Sequence, residues 1–288
     1  MFNKLIAILF FAGLSLNVHS QNQDSIILVK TKWHKTRISK EVKLFQHHFN
    51  EKNLFAANEN ISFVEVKNTG RKAFFAFGAN EKELVTTSNF GLKDSAIVAV
   101  NGNFFDVKNG GSVDFVKVNN QVINQNRLEK GDKRARHQQA AIVIDHGKLA
   151  IKKWDGSIDW ETKLVEKDVL LNGPLLTLNG VNEELDTAAF NRLRHPRTCL
   201  GIKPNGHVIL LTVDGRNENS AGMSLFELTK LMSWLGCSSS INFDGGGSTT
   251  LWVNGFPDEG VINYPTDNKK WDHAGQRKVA NVVLIKKK

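Results

Sequence analysis

The fold is decided by VILLTVDGRNENSAGMSLFELTKLMSWLGCSSSINFDGGGST, residues 208–249. This stretch contains two apolar strands, Val208–Val213 and Ile241–Phe243, with an amphipathic helix, Leu225–Leu235, between them. A capping box opens the helix, a glycine follows its last turn, and its Leu and Met side chains fall on one face at the spacing expected of core packing. The order strand, helix, strand predicts a right-handed parallel crossover unit.

The crossover brings two acidic residues to one edge of the predicted sheet. Asp214 directly follows the first strand, and Asp244 directly follows the second. Both strands of a parallel unit point the same way, and ligands of open α/β sheets bind beyond those strand ends. We therefore expect the two carboxylates to be neighbours in a site.

The rest of the chain is rich in strands and hairpins. Turns containing Asn-Gly or Asp-x-Gly lie between apolar runs at Asp145–Gly147, Asn179-Gly180, Asn205-Gly206 and Asn254-Gly255. We predict an α+β fold with a mixed central sheet, a parallel strand–helix–strand unit, hairpins and flanking helices. Residues 21–84 are expected to form a strand-rich N-terminal portion packed on the core, and residues 85–288 the main domain.

The first twenty residues have the pattern of an export signal. Lys4 supplies a positive charge, Leu5–Leu16 is apolar, and the small residue Ser20 precedes the expected cleavage site. A run of about 12 apolar residues is too short to cross a hydrocarbon core of about 30 Å as a helix. We expect residues 1–20 to be removed, and the mature protein to be secreted or periplasmic without integral membrane association. The alternative is an N-terminal anchor helix.

The net charge of +9 favours anionic partners such as phosphorylated sugars and acidic glycans. Most of the lysines are spread along the chain rather than clustered, so nucleic acid is not an expected partner. The two cysteines, Cys199 and Cys237, lie in apolar contexts and are expected to be buried thiols without a catalytic role. Whether they pair is left open.

Four apolar strands pass directly into Asn-Gly or Asp-Gly without forming a hairpin. They lead into Asn101-Gly102-Asn103, Asn172-Gly173, Asp214-Gly215-Arg216 and Asp244-Gly245-Gly246-Gly247-Ser248-Thr249. A strand end holds a polar side chain rigidly, and glycine lets a ligand approach the backbone. In the last of these, the N–H groups of Gly245, Gly246 and Gly247 and the hydroxyls of Ser248 and Thr249 are candidate anion donors. The alternative is a purely structural glycine turn.

The segment His195-Pro196-Arg197-Thr198 adds candidates for phosphate binding. Arg197 is predicted to clamp a phosphate through two N–H groups, and His195 to act as acid, base or donor. An exposed loop with ordinary ion pairs is the alternative, as is a simple salt bridge between Arg216 and Asp214. The polar, basic segment Lys108–Arg136 is interpreted as a loop over a site.

Other site chemistries lack their patterns in this sequence. There is no Gly-x-Ser-x-Gly elbow, nucleotide-binding glycine fingerprint or His-Glu-x-x-His pair. An oxygen-rich cation site built from Asp106, Asp214, Asp244 and Asp258 has no calcium-loop spacing. We expect no metal site and no required cofactor, with a divalent cation kept as the alternative.

Five motifs together resemble the phosphodiester glycosidase family in order and spacing, over about residues 85–285. They are Val98–Asp106, Asn172–Leu176, His195–Thr198, Val213–Arg216 with Ser220–Ser224, and Asn242–Thr250. The resemblance implies hydrolysis of a sugar–phosphate linkage at the anomeric carbon. This reaction releases a sugar and a phosphomonoester, here expected from envelope or extracellular glycans such as exopolysaccharide. Residues 85–288 would then be the catalytic domain.

The resemblance also implies roles for the candidate residues. Asp244 is expected to be the general base or nucleophile, with Asp214 as the second catalytic carboxylate. His195, Arg197 and Arg216 would hold the phosphate together with the glycine N–H groups. Asn101 and Asn103 would bind sugar hydroxyls, and Gly173, Thr198, Ser248 and Thr249 would complete the substrate pocket.

Two other functions stay open from the sequence. One is a phosphodiesterase that attacks phosphorus, and the other is a non-catalytic glycan-binding envelope protein. The sugar, the aglycone, the anomeric outcome and the oligomeric state are likewise open.

Overall fold

The computed structural model describes residues 23–130 and 133–288. The export signal predicted for residues 1–20 lies outside the described residues. The helices are α1 (residues 23–30), α2 (Thr87–Lys93), α3 (Trp160–Lys163), α4 (Ala189–Arg192) and α5 (Leu225–Trp234), and single 3₁₀ turns lie at Arg136–Gln138, Gly246–Ser248 and Asp258–Gly260.

The strands are β1 (His34–Arg37), β2 (Val42–Leu54), β3 (Ala57–Val66), β4 (Ala73–Ala79), β5 (Val85–Thr86), β6 (Val98–Asn101), β7 (Val116–Val118), β8 (Gln121–Asn124), β9 (Ala140–Asp145), β10 (Lys148–Lys153), β11 (Asp168–Leu171), β12 (Leu175–Leu178), β13 (Val181–Asn182), β14 (Arg197–Ile202), β15 (Val208–Val213), β16 (Ser239–Asn242), β17 (Leu251–Val253), β18 (Lys278–Val279) and β19 (Asn281–Lys287). They form four sheets, in the orders β1-β2-β3-β15-β14-β16-β12-β13, β10-β9-β11-β7-β8, β17-β6-β19-β4 and β18-β5.

The α+β class is confirmed, but the predicted mixed sheet is wrong, because every strand pairing among the described residues is antiparallel. The strands of the predicted parallel strand–helix–strand unit are not paired with each other. In the described residues β15 and β16 are not neighbours, because β14 lies between them and pairs with both in antiparallel fashion. The physical reason is the tight turn at Lys203–His207, which folds β14 back on β15 before the chain reaches α5. The returning strand β16 then meets the free edge of β14.

The direction of the two strands still follows from this pairing. Since β15 and β16 are each antiparallel to β14, they run the same way, and Asp214 and Asp244 leave the sheet at the same edge. Arg197, which begins β14, pairs with Val213 and so lies at that edge between them. The order of residues at the edge is therefore carboxylate, arginine, carboxylate.

The main sheet is buried on both faces, which explains why β15 is apolar without alternation. Leu210 faces one core, shared with the second and third sheets. Its neighbours Ile209 and Leu211 face another core, beneath α5. Helix α5 contributes Leu228 and Leu231 to that second core, so its apolar stripe is core packing as predicted.

The N-terminal strands extend this same sheet. Strand β3 pairs with β15 from Ile61 to Val66, and β2 pairs with β3. The boundary expected near residue 84 stays a prediction. Cys199 and Cys237 are both buried and are not joined by a disulfide. No helix within residues 23–130 and 133–288 combines the length and the apolar character needed to span a membrane.

Candidate active site

The strand-end motifs meet around the turn that follows β16. The backbone N–H of Asp244 donates to the carbonyl of Gly102 over 3.1 Å, and Asn242 Nδ2 donates to the carbonyl of Gly173 over 3.0 Å. Gly245 lies so close to Pro196 that a Cβ would be 2.6 Å from its carbonyl oxygen. The segments around residues 102, 173, 196 and 244 thus form one site.

Asp244 is partly exposed in this site, and its Oδ1 accepts the N–H of Gly245 over 2.9 Å. Burial raises the pKa of the carboxyl to about 6, against the opposing effects of the Ser248 side chain, the Gly245 N–H and the Arg277 charge. A carboxyl with this pKa is ionised at neutral pH, yet remains basic enough to take up a proton. This suits a catalytic base or a nucleophile.

Gly246 and Gly247 allow two guanidinium groups to lie against the Asp244 turn. Gly246 has a φ of +62°, and a Cβ there would lie 3.0 Å from Nη2 of Arg216. A Cβ on Gly247 would lie 2.6 Å from Nη2 of Arg277. We call Arg216 and Arg277 the arginine pair. Alanine at either glycine would displace a guanidinium from the turn.

Only some of the glycine N–H groups that were predicted to bind phosphate are free to do so. The Gly245 N–H is bonded to Asp244 Oδ1, and the Gly246 N–H donates to the carbonyl of Pro196 over 2.9 Å. Both donors are therefore engaged within the chain. The arginine pair supplies the positive charge at this turn.

Arg216 is exposed and forms no ion pair with another described residue. Its φ of +61° is unusual for a residue with a side chain, which marks a position held by its surroundings. The salt bridge to Asp214 considered from sequence is not formed. Arg277 is paired with Asp267, its Nε lying 2.8 Å from Oδ1, so Arg216 is the freer of the two to meet an anion.

His195 is partly exposed near this positive charge. Burial lowers the pKa of its imidazole, and the charges of Arg197 and Arg216 lower it further. At neutral pH the ring is therefore uncharged and can both donate and accept a hydrogen bond. Its predicted role as acid, base or donor stays a prediction.

Arg197 does not present the predicted phosphate clamp. Its side chain is buried, Nε donates to the carbonyl of Met223 over 2.8 Å, and Nη2 donates to the carbonyls of Phe190 and Leu193 over 2.6 and 3.1 Å. The guanidinium also lies 4.8 Å from the centroid of the Phe190 ring. Because Nε and Nη2 of Arg197 are bonded to these backbone carbonyls, the side chain holds the loop around α4 in place.

Other predicted substrate contacts are turned into the protein interior. Asn101, Asn103, Thr198, Ser248 and Thr249 are at most 2% exposed. The side chain of Asn103 donates to the carbonyl of Leu171 over 3.0 Å and accepts from Ser112 over 2.8 Å. Side chains buried to this extent do not reach a sugar hydroxyl in this structure. Asn101, Asn103 and Thr198 instead join the loops that surround Asp244 through hydrogen bonds.

Asp214 is likewise buried and fully bonded. Its Oδ2 accepts Asn60 Nδ2 over 2.8 Å, and its Oδ1 accepts Asn263 Nδ2 and the Tyr264 N–H over 2.8 and 3.0 Å. Burial raises its pKa to about 6 despite these bonds. Asp214 lies at the predicted edge, where it ties β3 to the loop that follows β17.

A cavity of about 290 Å³ lies beside the site, and sequence reasoning did not identify it. Phe104 and Phe190 form its aromatic walls, with ring centroids 5.9 Å apart and planes at 63°. His137 lines the same cavity, and its ring centroid lies 4.7 Å from that of Phe104. The backbone of His137 packs on Gly173. The close approach explains the glycine, since a Cβ there would lie 2.9 Å from the His137 Cα.

His137 and Asp114 are hydrogen-bonding partners within this part of the site. The ring Nε2 lies 3.2 Å from Oδ1 of the fully buried Asp114, which also accepts Gln138 Nε2 over 2.9 Å. Burial lowers the pKa of His137, but the Asp114 carboxylate, with the charges of Glu129 and Asp244, outweighs it and the net shift is upward. The only sequence signal was the polar segment that ends just before His137.

Metal binding has no counterpart in the described part of the chain. Within residues 23–130 and 133–288 no three His, Cys, Asp or Glu residues come together as a metal site. Asp106 bonds to Asn109 and Arg127, and Asp258 lies 3.8 Å from His273. That the protein needs no cofactor stays a prediction.

Comparison with known proteins gives one consistent answer. A family model described as Phosphodiester glycosidase matches residues 94–286. The N-acetylglucosamine-1-phosphodiester alpha-N-acetylglucosaminidase of Mus musculus is 25% identical over 225 residues, which are 73% of this chain and 41% of the mouse protein. The Bos taurus protein of that name is 33% identical over 108 residues, which are 36% of this chain and 19% of the bovine protein. The chain thus spans less than half the length of the curated relatives it matches.

Among solved structures, the chain resembles the catalytic domain of the zebrafish N-acetylglucosamine-1-phosphodiester alpha-N-acetylglucosaminidase, which is auto-inhibited by its pro-peptide. The TM-score is 0.65 at 18% identity, covering 94% of this chain and 93% of the zebrafish chain. This likeness shows a shared fold. The resemblance drawn from the five sequence motifs is confirmed by the family model, which covers more than half of the residues, and the chain belongs to the phosphodiester glycosidase family.

Proposed function

We propose that this protein hydrolyses a glycosyl phosphodiester at the anomeric carbon, releasing the sugar and a phosphomonoester. Family membership supports the reaction class. One observation about the site carries the proposal. The half-buried Asp244 carboxyl, with a pKa near 6, has the arginine pair against its turn and is close enough to His137 for its charge to raise the pKa of that imidazole.

The arginine pair fits the phosphate of such a substrate. When the bond between the anomeric carbon and oxygen breaks, the electron pair stays on a phosphate that is already a good leaving group. The protein needs fixed positive charge and N–H donors at that oxygen more than it needs an acid. Arg216 has no carboxylate partner among the described residues, and the neutral His195 ring adds a donor.

The cavity lined by Phe104 and Phe190 fits the sugar to be released. Its volume of about 290 Å³ suits a single ring, and aromatic walls suit the C–H faces of a pyranose. Glu129, His137 and Asp186 add polar groups for the hydroxyls at the rim. Phe104 follows the Asn101-Gly102-Asn103 motif, which links this wall to the sequence block that identified the family.

Asp244 acts at the anomeric carbon in one of two ways. As a nucleophile it attacks that carbon, the phosphate leaves with the bonding electrons, and water later displaces the carboxylate. As a base it takes a proton from the attacking water. His137 is the second proton carrier, since Asp114 holds its Nε2 and leaves Nδ1 to exchange a proton. The anomer first released distinguishes the two, with retention expected for a nucleophile.

Asp214 and Arg197 serve this reaction as positioning residues. The hydrogen bonds of Asp214 fix the backbone from which Arg216 extends, two residues later. Arg197 fixes the loop that carries Phe190. Neither side chain is exposed enough to touch the substrate.

We also propose where the enzyme acts and on which class of substrate. The pattern of residues 1–20 and the net charge of +9 support an exported enzyme that acts on anionic envelope or extracellular glycans. The names of the mouse and bovine relatives make N-acetylglucosamine-1-phosphodiesters the first compounds to test.

The test is hydrolysis of methyl N-acetylglucosamine-1-phosphate diester, followed by phosphorus-31 NMR. The wild type is expected to convert the diester signal to that of methyl phosphate, with an equal amount of free sugar. Asp244→Asn should lose this turnover, whereas Asp145→Asn, on an exposed hairpin, should keep it. Equal turnover by both variants would contradict the catalytic assignment. No turnover of any sugar-1-phosphodiester would contradict the proposed function.

A further inference from the structure

A cavity of about 420 Å³ lies at the end of the main sheet opposite the active site. It is lined by the loop of residues 67–72, which follows β3, by the β9–β10 hairpin and by the end of β19. Strand β3 pairs with β15 so that Val66 lies beside Val208, whereas Asp214 follows the other end of β15. The six residues of β15 rise about 3.4 Å each, so the two ends are about 20 Å apart. We call this the basal cavity.

The two loops that form most of the basal cavity are fixed to each other. Asn68 Nδ2 donates to the carbonyl of Leu149 over 2.7 Å, and Asn68 Oδ1 accepts the Leu149 N–H over 2.8 Å. Gly70, with a φ of +66°, approaches the hairpin so closely that a Cβ would collide with the carbonyl oxygen of His146. The cavity is therefore preformed, and a ligand can bind without first ordering these loops.

The lining of the basal cavity is positively charged. Arg71, Lys148 and Lys288 line it, whereas no Asp or Glu does. Arg71 and Lys148 form no ion pair within the described part of the chain. The neighbouring Asp145 lies outside the lining, with Oδ1 3.6 Å from Nε2 of His146. Two unpaired cations around one concave space favour an anionic ligand.

The loop of residues 67–72 adds hydrogen-bond donors to these charges. The backbone N–H groups of Gly70 and Arg71 have no acceptor among the described residues, and the Thr69 hydroxyl has no partner there. Backbone N–H groups beside a glycine of positive φ are typical donors at anion sites. The Arg71 guanidinium and the Lys148 ammonium bind carboxylate or phosphate through charge-assisted hydrogen bonds. The cavity thus combines fixed charge with donors for an anionic group.

One wall of the basal cavity is aromatic. Phe74 lines it and is partly exposed. A Cβ on Gly147 would lie 2.7 Å from the Cβ of Phe74, so the hairpin packs directly on this residue. A recessed aromatic ring suits the C–H face of a sugar, and the volume suits one or two sugar rings. A membrane surface is instead bound by basic and apolar side chains that protrude from the protein.

We propose that the basal cavity is a second binding site, which holds an acidic glycan through Arg71, Lys148 and the surface of Phe74. The site is about 20 Å from the sheet edge that carries Asp214, so its ligand is not the sugar cleaved at Asp244. This proposal does not rest on the proposed function, because binding is measured without turnover.

Binding is tested by calorimetry with trigalacturonate and a hyaluronan tetrasaccharide, each at up to about 10 mM and about 50 mM salt. At least one should bind the wild type, and neutral maltotriose should bind at least about tenfold more weakly. Arg71→Gln with Lys148→Gln should weaken binding of the acidic glycan at least about tenfold.

Two controls separate the basal cavity from the net charge and from the active site. Lys30→Gln with Lys52→Gln removes the same charge at exposed positions outside the cavity and should leave Kd unchanged. Arg216→Gly removes a charge at the active site and should also leave Kd unchanged. The proposal is overturned if neither acidic glycan binds the wild type, if the two double variants bind alike, or if Arg216→Gly alone abolishes binding.

Vesicles of phosphatidylcholine with phosphatidylglycerol test the membrane alternative by co-sedimentation. The wild type and the Arg71→Gln, Lys148→Gln variant should co-sediment to the same extent. Vesicle binding that depends on these two residues, without binding of an acidic glycan, would overturn the proposal in favour of a lipid surface.

Turnover of the methyl diester tests whether the basal cavity is separate from the reaction. The Arg71→Gln, Lys148→Gln variant should keep the kcat/KM of the wild type, and a tenfold fall would contradict a separate site. Binding of an acidic glycan without hydrolysis of any diester would support the basal cavity and contradict the proposed function.

Discussion

The side-chain amide of Asn101 donates a hydrogen bond of 2.7 Å to the backbone carbonyl of Asp244. Its Oδ1 accepts the Thr198 hydroxyl over 2.7 Å and the Thr250 N–H over 3.1 Å. A single buried amide therefore joins the end of β6, the start of β14 and both sides of the catalytic turn. The geometry of Asp244 depends on a residue that cannot touch the substrate.

Asn101→Ala is expected to lower the free energy of unfolding by about 2–4 kcal/mol, because three buried partners lose their hydrogen bonds. Turnover should fall as well, since the Asp244 turn loses its anchor. Chemical denaturation and steady-state kinetics measure the two effects. Asn50→Ala, on an exposed position of β2, is the control and should change neither. Unchanged stability in Asn101→Ala would contradict this role.

Activity should fall on the acid side as Asp244 becomes protonated. Burial raises the pKa of this carboxyl from 3.8 to about 6, and the reaction requires the ionised form. On the acid side, kcat/KM should therefore decline tenfold per pH unit well below pH 6. A pH profile of kcat/KM for the wild type measures the midpoint. A midpoint near 4 would mean that the reacting carboxyl is not held as the structure has it.

On the alkaline side, the pH at which kcat/KM declines should depend on Asp114. Its carboxylate contributes most to raising the pKa of His137 against burial, ahead of Glu129 and Asp244, so removing it lowers that pKa. Asp114→Asn should move the alkaline limb of the profile to lower pH and leave the acid limb in place. His137→Gln should remove the limb and reduce kcat about 10²-fold. An alkaline limb that does not move in Asp114→Asn would exclude His137 as the proton carrier.

Arg216→Gly distinguishes the effect of the Arg216 charge on activity from the effect of its backbone conformation on stability. Glycine tolerates the φ of +61° without strain, so stability should be unchanged or slightly higher. The loss of the guanidinium should reduce kcat/KM about 10²-fold and weaken inhibition by inorganic phosphate. Arg71→Gly, at an exposed position, serves as the control. Equal phosphate inhibition in Arg216→Gly and the wild type would remove Arg216 from the phosphate site.

The placement of Asp214 and Asp244 at one sheet edge could be predicted from local order, because strand–helix–strand fixes direction. Their separation by β14 could not, since hairpin formation by β14 and β15 competes with parallel pairing. A sequence also does not reveal whether the side-chain amide at the end of a strand faces solvent or the interior. The amide of Asn101 faces the interior. His137 escaped notice because its partner Asp114 lies 23 positions away and meets it only through tertiary packing.

Cleavage at the anomeric carbon is best tested by hydrolysis of a sugar-1-phosphodiester in oxygen-18 water. The phosphomonoester is then examined by phosphorus-31 NMR, in which each bound oxygen-18 shifts the signal. Attack at the anomeric carbon leaves the phosphate with its original oxygens, so we expect an unlabelled phosphomonoester. An oxygen-18 label in the phosphate would show attack at phosphorus and contradict cleavage at the anomeric carbon.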